Sequence, residues 1–137
     1  MLLLISNTVL VVKVVQLNND LKDVYQNFDM QKRNASPLVF DSQSYDFGKI
    51  VLDSNYQTNF TFTNTGTKPI KIKDIAPSCG CTVPVWNKGF IDVGHKGSIA
   101  LKYHAGPVGN FSKETFVYVV GETKPIVLTI KGSVKAR

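Results

Sequence analysis

Two cysteines separated by a single glycine, Cys79 and Cys81, are the residues of this chain best suited to chemistry, and the chain has no other cysteine. Residues two apart in an extended chain point to the same face. The intervening Gly80 lets the backbone bend, because glycine can take a positive φ. The spacing therefore allows a disulfide, a thiol redox pair, a soft-metal site or a structural corner.

A bond between Cys79 and Cys81 would close a very small loop, so it would restrict the unfolded chain little. We expect such a bond to be strained, and a more readily reduced disulfide is what a redox site uses. No Lys, Arg or His lies within five residues of the pair, so the local sequence offers no cation to stabilise a thiolate. A structural corner or simple disulfide is the first interpretation, and thiol redox chemistry is the second.

A metal site could add His95 and His104 to the two thiolates, since two Cys and two His can bind zinc. These histidines flank one predicted strand of about 30 Å, at about 3.3 Å per residue, so they cannot share an ion. Two thiolates with one histidine, or two thiolates holding Cu(I), stay open as the alternative. The first interpretation has no metal and no cofactor, with each histidine exposed at a turn or strand end.

No other constellation in the chain indicates catalysis. There is no Gly-x-Ser-x-Gly elbow, no nucleotide-binding loop and no nucleophile–base pair. Asp53, Asp74 and Asp92 are scattered rather than paired. We therefore predict that the protein is not an enzyme.

The elements that position the cysteines follow a two-residue alternation from residue 37 onward. Apolar and polar residues alternate in segments such as 56–62 and 99–103, with turn signals about every ten residues. Seven or eight short strands predict a β-sandwich or small barrel, and about a hundred residues fit an immunoglobulin-like antiparallel sandwich. Lys71 and Lys73 alternate with Ile70 and Ile72, which predicts a half-buried strand with two basic residues facing water.

The first 17 residues are mostly apolar, although Lys13 interrupts them. The run is shorter than the roughly 20 residues of a spanning helix. It also lacks the basic start and small-residue cleavage site of a secretory signal. Three interpretations remain: an export signal or anchor lacking its beginning, a short membrane anchor through residues 1–17, or a buried apolar segment.

A helical stripe follows, formed by Leu17, Leu21, Val24, Tyr25 and Phe28. This helix is predicted to begin near residues 18–20, which supply candidate caps, and to end near residue 33, before Pro37 forces extended backbone. The predicted organisation is an N-terminal apolar and helical segment over residues 1–36 and a sandwich over 37–137.

The chain has 137 residues and a formal net charge of +6, with sixteen Lys and Arg against ten Asp and Glu. From residue 37 onward there are twelve basic and seven acidic residues. This excess favours acidic partners. No run of adjacent basic residues longer than Lys32-Arg33 and no nucleic-acid motif occurs, so we predict no nucleic-acid partner.

Several motifs occur in an order that resembles one bacterial family: Asp46-Phe47-Gly48, Phe60-x-Phe62-x-Asn64-Thr65-Gly66, Ile72-x-x-Ile75 and Ser78-Cys79-Gly80-Cys81-Thr82. It is a widespread domain of unknown function with an S-C-G-C-T core, similar to the Hydin-like immunoglobulin folds. The resemblance covers residues 38–135. It implies an immunoglobulin-like fold, an exported or envelope-carried protein, and no established catalytic activity.

These observations predict an exported or envelope-associated binding or assembly module, located in the envelope, periplasm or extracellular space. Its partner would be a protein or an acidic envelope macromolecule. It would bind through end loops or exposed edge strands. The alternative is a thiol-redox or soft-metal protein using the two cysteines. The candidate functional surface comprises Lys71, Lys73, Ser78, Cys79, Gly80, Cys81, Thr82 and Trp86.

Overall fold

The structure is a computed structural model that describes residues 2–34 and 36–137, with the side chains of 6–30 and 36–137. Met1 and Ala35, which belong to the predicted N-terminal segment, lie outside the described residues. The chain divides into two compact units, Met1–Ala35 and Ser36–Arg137.

The N-terminal unit is one helix, α1 (Leu2–Asn34). The prediction that a helix begins at residues 18–20 was wrong, because those residues lie in its interior and cap nothing. No Gly or Pro occurs before Pro37, so nothing breaks the helix between the apolar run and the amphipathic stripe. All described side chains of this helix, from 6 to 30, are exposed. Among the described residues, no helix combines the length and apolar character needed to cross a membrane.

The second unit contains eight strands: β1 (Leu38–Phe40), β2 (Ser44–Val51), β3 (Asn55–Asn64), β4 (Ile72–Pro77), β5 (Thr82–Trp86), β6 (Lys96–His104), β7 (Gly109–Val119) and β8 (Ile126–Lys135). Four of them form sheet A, in the order β1-β3-β6-β5, and four form sheet B, in the order β2-β8-β7-β4. The predicted immunoglobulin-like β-sandwich is confirmed.

One pairing departs from the predicted antiparallel arrangement, because β2 runs parallel to β8. Parallel neighbours need a long crossover connection. Nearly the whole domain lies between these two strands in the chain, so it supplies that connection. Sheet B is therefore mixed, whereas every pair in sheet A is antiparallel.

The core lies between the sheets and follows the alternation read from the sequence. In β3 every second residue from Thr58 to Asn64 is buried. Ile99 and Leu101 on β6 are fully buried, as are Leu128 and Ile130 on β8. Alternation with one buried face fixes the register, because a slip of one residue would expose the whole apolar set.

A bulge in β4 changes the position of the two predicted basic residues. The strand begins at Ile72 rather than Ile70, and the register with β7 shifts between Ile72 and Asp74. Lys73 is the extra residue, which explains why the buried Ile72 and Ile75 are three apart rather than two. The predicted strand face with Lys71 and Lys73 in simple alternation is wrong: Lys71 precedes the strand and is half-buried, and Lys73 is exposed at the bulge.

The turn after β3 is held by a fully buried side chain, Asn64. Its Nδ2 donates to the carbonyls of Lys68 and Ile91, at 3.0 and 2.9 Å. Its Oδ1 accepts from the amide of Gly66 at 2.9 Å. The amide group thus makes three hydrogen bonds, one of them buried and two partly buried, and joins the turn to the segment that precedes β6.

Candidate functional site

The cysteine corner, residues 78–81, joins β4 to β5, which are the edge strands of the two sheets. Ser78 attaches it to β7: its amide donates to the carbonyl of Glu114 at 2.8 Å, and its Oγ accepts from the Glu114 amide at 3.1 Å. At the other side, the His104 amide donates to the carbonyl of Cys81 at 2.9 Å. The corner is therefore held by both sheets.

Cys79 and Cys81 form a disulfide, with their Cα atoms 5.3 Å apart. This separation lies in the ordinary range for disulfides. Gly80 does not adopt a positive φ, and a Cβ placed there would meet no atom within 4 Å. The backbone conformation that closes the bond is therefore open to residues other than glycine, contrary to the expectation that glycine's freedom would be used.

The disulfide contributes little as a cross-link. It joins residues two apart, and the chain-entropy relation gives about 1.6 kcal/mol for so short a loop, against about 3 kcal/mol for fifteen residues. The core around it is already closed by Thr82, which is 2% exposed, and Tyr103. The fold therefore does not depend on the bond for most of its stability.

A groove of about 590 Å³ opens beside the corner on the outer face of sheet A. We call it the sheet A groove; it is lined by Asn55, Tyr56, Gln57, Gly80, Cys81, Val83, Lys102 and His104. Antiparallel pairing places Val83 opposite Lys102, and Lys102 opposite Gln57. One wall of the groove is therefore formed by Gly80 and Cys81, and its floor comes from three neighbouring strands.

Two basic residues, Lys102 and His104, line the groove beside Cys81. The sequence near the cysteines does not predict them. Lys102 and His104 are more than twenty residues away in the chain, but they line the same groove as Cys81. The pairing of β5 with β6 is the cause. The available signal was the alternation in β6, which turns Lys102 and His104 outward while Leu101 and Tyr103 point into the core.

The imidazole of His104 is oriented by residues at the start of β3. Its Nδ1 lies 3.0 Å from Oδ1 of Asn55, and its Nε2 lies 4.0 Å from Oδ1 of Asp53. Asp53 is in the left-handed region, with φ of 57°, at the turn between β2 and β3. These two oxygens face the ring nitrogens and hold the imidazole in one orientation at this end of the groove.

Trp86 lies at the other end of β5 and faces inward, opposite Ile99. It packs against the core, and Nζ of Lys88 lies 4.5 Å from the centre of its ring. A smaller cleft of about 190 Å³ lies here, lined in part by Trp86 and Phe90, with Nζ of Lys71 5.7 Å from the Phe90 ring centre. Within the described part of the chain, the Trp86 Nε1 is buried without a hydrogen-bond partner.

The structure thus divides the candidate surface that the sequence predicts. Gly80 and Cys81 line the sheet A groove, whereas Trp86 lies about 13 Å along β5 from Thr82, at about 3.3 Å per residue. Lys71 is associated with the Trp86 cleft through Phe90. Of the other members, Lys73 and Cys79 line neither opening, although Cys79 is bonded to Cys81, and Ser78 and Thr82 hold the corner in place.

The two histidines do not meet at the cysteines. His95 immediately precedes β6 and His104 ends it, as the predicted strand requires. Across residues 2–34 and 36–137, no group of three or more His, Cys, Asp or Glu side chains is placed to hold a metal ion.

Each sheet edge is interrupted. The first strand of sheet A has only three residues, and β2 and β4 carry register shifts. On β5, Cys81 accepts a hydrogen bond from the His104 amide, so these two residues form a hydrogen-bonded pair of the ladder. Such pairs alternate along antiparallel strands. The backbone groups of Val83 therefore face β6, and those of Pro84 face the open edge. Proline therefore removes a donor from that edge, a known protection against strand addition.

Comparison with solved structures shows the same fold at low identity. A protein of unknown function from Porphyromonas gingivalis W83 matches with a TM-score of 0.59 and 10% identity, over 70% of this chain and 46% of that one. The secreted serine protease VesC from Vibrio cholerae matches at 0.57 and 14%, over 81% of this chain and 25% of that one. The ASH/PapD-like domain 7 of human CEP192 matches at 0.59 and 9%, over 76% of this chain and 89% of that one.

The chain thus spans less than half the length of the first two of these proteins. No curated protein matches it significantly. A family model described as protein of unknown function (DUF1573) matches residues 38–134, which span the β-sandwich from the start of β1 to the last residue but one of β8. The chain therefore belongs to the DUF1573 family of proteins of unknown function.

Proposed function

We propose that this protein is an exported or envelope-associated immunoglobulin-like binding module without catalytic activity, and that it binds an acidic, partly apolar protein segment in the sheet A groove. The observation that carries the proposal is the charge of sheet A. Its four strands contain no Asp or Glu, while β6 supplies Lys96, Lys102 and His104. Lys102 gives the groove a positive charge that attracts an acidic partner, while the Asp53 carboxylate lies beside His104 at one end.

Exposed apolar side chains on the same face favour a protein segment over a sugar polymer. Val83, which is 54% exposed, lines the groove together with Lys102, and Val85, two residues further along β5, is 49% exposed. Asn55 and Gln57 supply amides that can donate to and accept from a peptide backbone. A segment that alternates acidic and apolar residues matches this combination.

Recognition across the sheet face is favoured over addition of a strand at a sheet edge. The four edges are short, bulged or interrupted by proline, as described above. Strand addition needs a continuous row of free backbone donors and acceptors. The groove needs none, because Asn55, Gln57 and Lys102 present exposed polar side chains from the sheet face.

The disulfide supports the proposal that the protein is located in an oxidising compartment. Such bonds persist in exported proteins and are rare where thiols are kept reduced. The presence of the same fold in a secreted serine protease is consistent with export. The proposal thus includes an exported or envelope location of the protein and attachment to a membrane through residues 1–17.

The proposal is tested by nuclear magnetic resonance with the full chain and two probes, a (Glu-Val)₄ peptide and polygalacturonate. We expect the peptide to shift the amide signals of groove residues 55, 57, 83, 102 and 104 selectively. Equal shifts on the lysines of sheet B would overturn the proposed site. Selective binding of polygalacturonate instead of the peptide would replace the protein partner with an acidic polysaccharide.

A pair of charge reversals sharpens the test. Lys102→Glu should weaken peptide binding about fivefold, which corresponds to about 1 kcal/mol for one partly screened charge. Lys124→Glu, on the exposed connection between β7 and β8, makes the same change in net charge and should leave affinity unchanged. Equal losses in both variants would mean that the peptide responds only to net charge.

A further inference from the structure

We propose that the Cys79–Cys81 disulfide is an exchangeable bond that oxidises a partner dithiol, and that the partner's thiolate attacks Sγ of Cys81 from the sheet A groove. This redox activity goes beyond the binding function proposed above. It does not require the acidic segment, because a small thiol can enter the groove alone.

Both cysteines are half-buried, but they differ in their position relative to the groove. Cys81 lines the groove, next to the exposed Gly80, whereas Cys79 is absent from the groove wall. Thiol–disulfide exchange depends on which sulfur the entering thiolate can reach. The geometry therefore selects Cys81 as the attacked sulfur and Cys79 as the leaving group.

The leaving sulfur has a hydrogen-bond donor in place. Oγ1 of Thr82 lies 3.7 Å from Sγ of Cys79, and Thr82 is buried at the start of β5. A hydroxyl that donates to a sulfur stabilises the thiolate more than the disulfide. Thr82 would thus hold the negative charge that forms on Cys79 when the bond breaks.

The entering sulfur meets a basic environment. Lys102 and His104 line the groove with Cys81. Nearby cations favour the thiolate form of a thiol, which is the nucleophile in exchange. Lys102 would therefore attract and stabilise the partner's thiolate beside its target.

The exchange balances in two steps. The partner thiolate forms a bond to Sγ of Cys81, the Cys79–Cys81 bond breaks, and its electron pair goes to Cys79. The partner's second thiolate then attacks the partner sulfur of this mixed disulfide, and Cys81 leaves as a thiolate. Two electrons pass to the protein, the partner gains a disulfide, and Cys79 and Cys81 take up the two protons that the partner thiols lost.

The test uses the oxidised full chain with reduced glutathione, quenched by iodoacetamide and mapped by peptide mass spectrometry. We expect glutathione on Cys81 and the alkyl group on Cys79, formed at a rate that 1 M urea leaves unchanged. Glutathione mainly on Cys79, or equally on both cysteines, would overturn the proposal. A rate that rises with urea would also overturn it, because reaction would then require unfolding.

Two variants test the assigned roles. Thr82→Val should slow reduction by dithiothreitol about tenfold, the effect of losing one hydrogen bond to a charged atom. Lys102 is exposed, so we expect the Lys102→Gln variant to fold normally and to react more slowly with glutathione than the wild type. The Lys124→Gln control should react at the wild-type rate. Wild-type rates in both the Thr82→Val and the Lys102→Gln variants would contradict the roles assigned to Thr82 at the leaving sulfur and to Lys102 at the entering thiolate. Binding of the (Glu-Val)₄ peptide to a Cys79→Ser, Cys81→Ser variant separates failure of the redox activity from failure of the binding function.

Discussion

The amide of His104 donates to the carbonyl of Cys81, with 2.9 Å between N and O. This bond extends the β5–β6 ladder one pair beyond Thr82 and Tyr103. The position of the disulfide is therefore set by a central strand of sheet A as well as by its own covalent ring. It also places Cys81 and His104 side by side, and both residues line one groove.

Removing the disulfide should leave the fold intact. For the Cys79→Ser, Cys81→Ser variant we expect a loss of about 1.6 kcal/mol in the free energy of unfolding, because the bond closes only a three-residue loop. Urea denaturation of the oxidised wild type and the variant measures the difference. A loss above about 4 kcal/mol would show that the corner has a structural role beyond chain entropy.

Gly97 should tolerate no side chain. A Cβ at this position would lie 2.5 Å from Cζ of the buried Phe62, so Gly97→Ala should cost about 1–3 kcal/mol through overpacking. Gly106→Ala is the matched control, since no atom lies within 4 Å of its Cβ position. Thermal unfolding of both variants gives the comparison, and equal melting temperatures would contradict the close packing of Gly97 against Phe62.

Pro84 should protect the β5 edge from pairing with another chain. Pro84→Val restores a backbone donor that faces the open edge, so we expect the variant to self-associate more strongly than the wild type. Sedimentation velocity over a range of concentrations detects the change. Val83→Thr is the control, because it alters an exposed side chain and adds no edge donor. Identical sedimentation of Pro84→Val and wild type would mean that the edge is protected by something else.

Much of the sandwich could be predicted because strand patterns are local. In β3 and β6, the apolar residues that recur every second position are the ones that pack between the sheets. Where local patterning was disrupted, prediction was less accurate. The bulge at Lys73 breaks the alternation in β4, so the sequence pattern predicts a strand that begins two residues before the observed one. In the N-terminal unit, the apolar run and the amphipathic stripe belong to one uninterrupted helix, so the sequence pattern predicts a helix start where the structure has none.

The sequence by itself determined that Cys79 and Cys81 could bond, because side chains two residues apart in an extended chain point to the same face. Only the tertiary structure decided what surrounds them. Pairing of β5 with β6 brings Lys102 and His104 to the corner, and the same geometry moves Trp86 to a separate cleft. The physical reason is that a side chain's direction along a strand is a local property, whereas its neighbours across strands depend on which strands the whole core brings together.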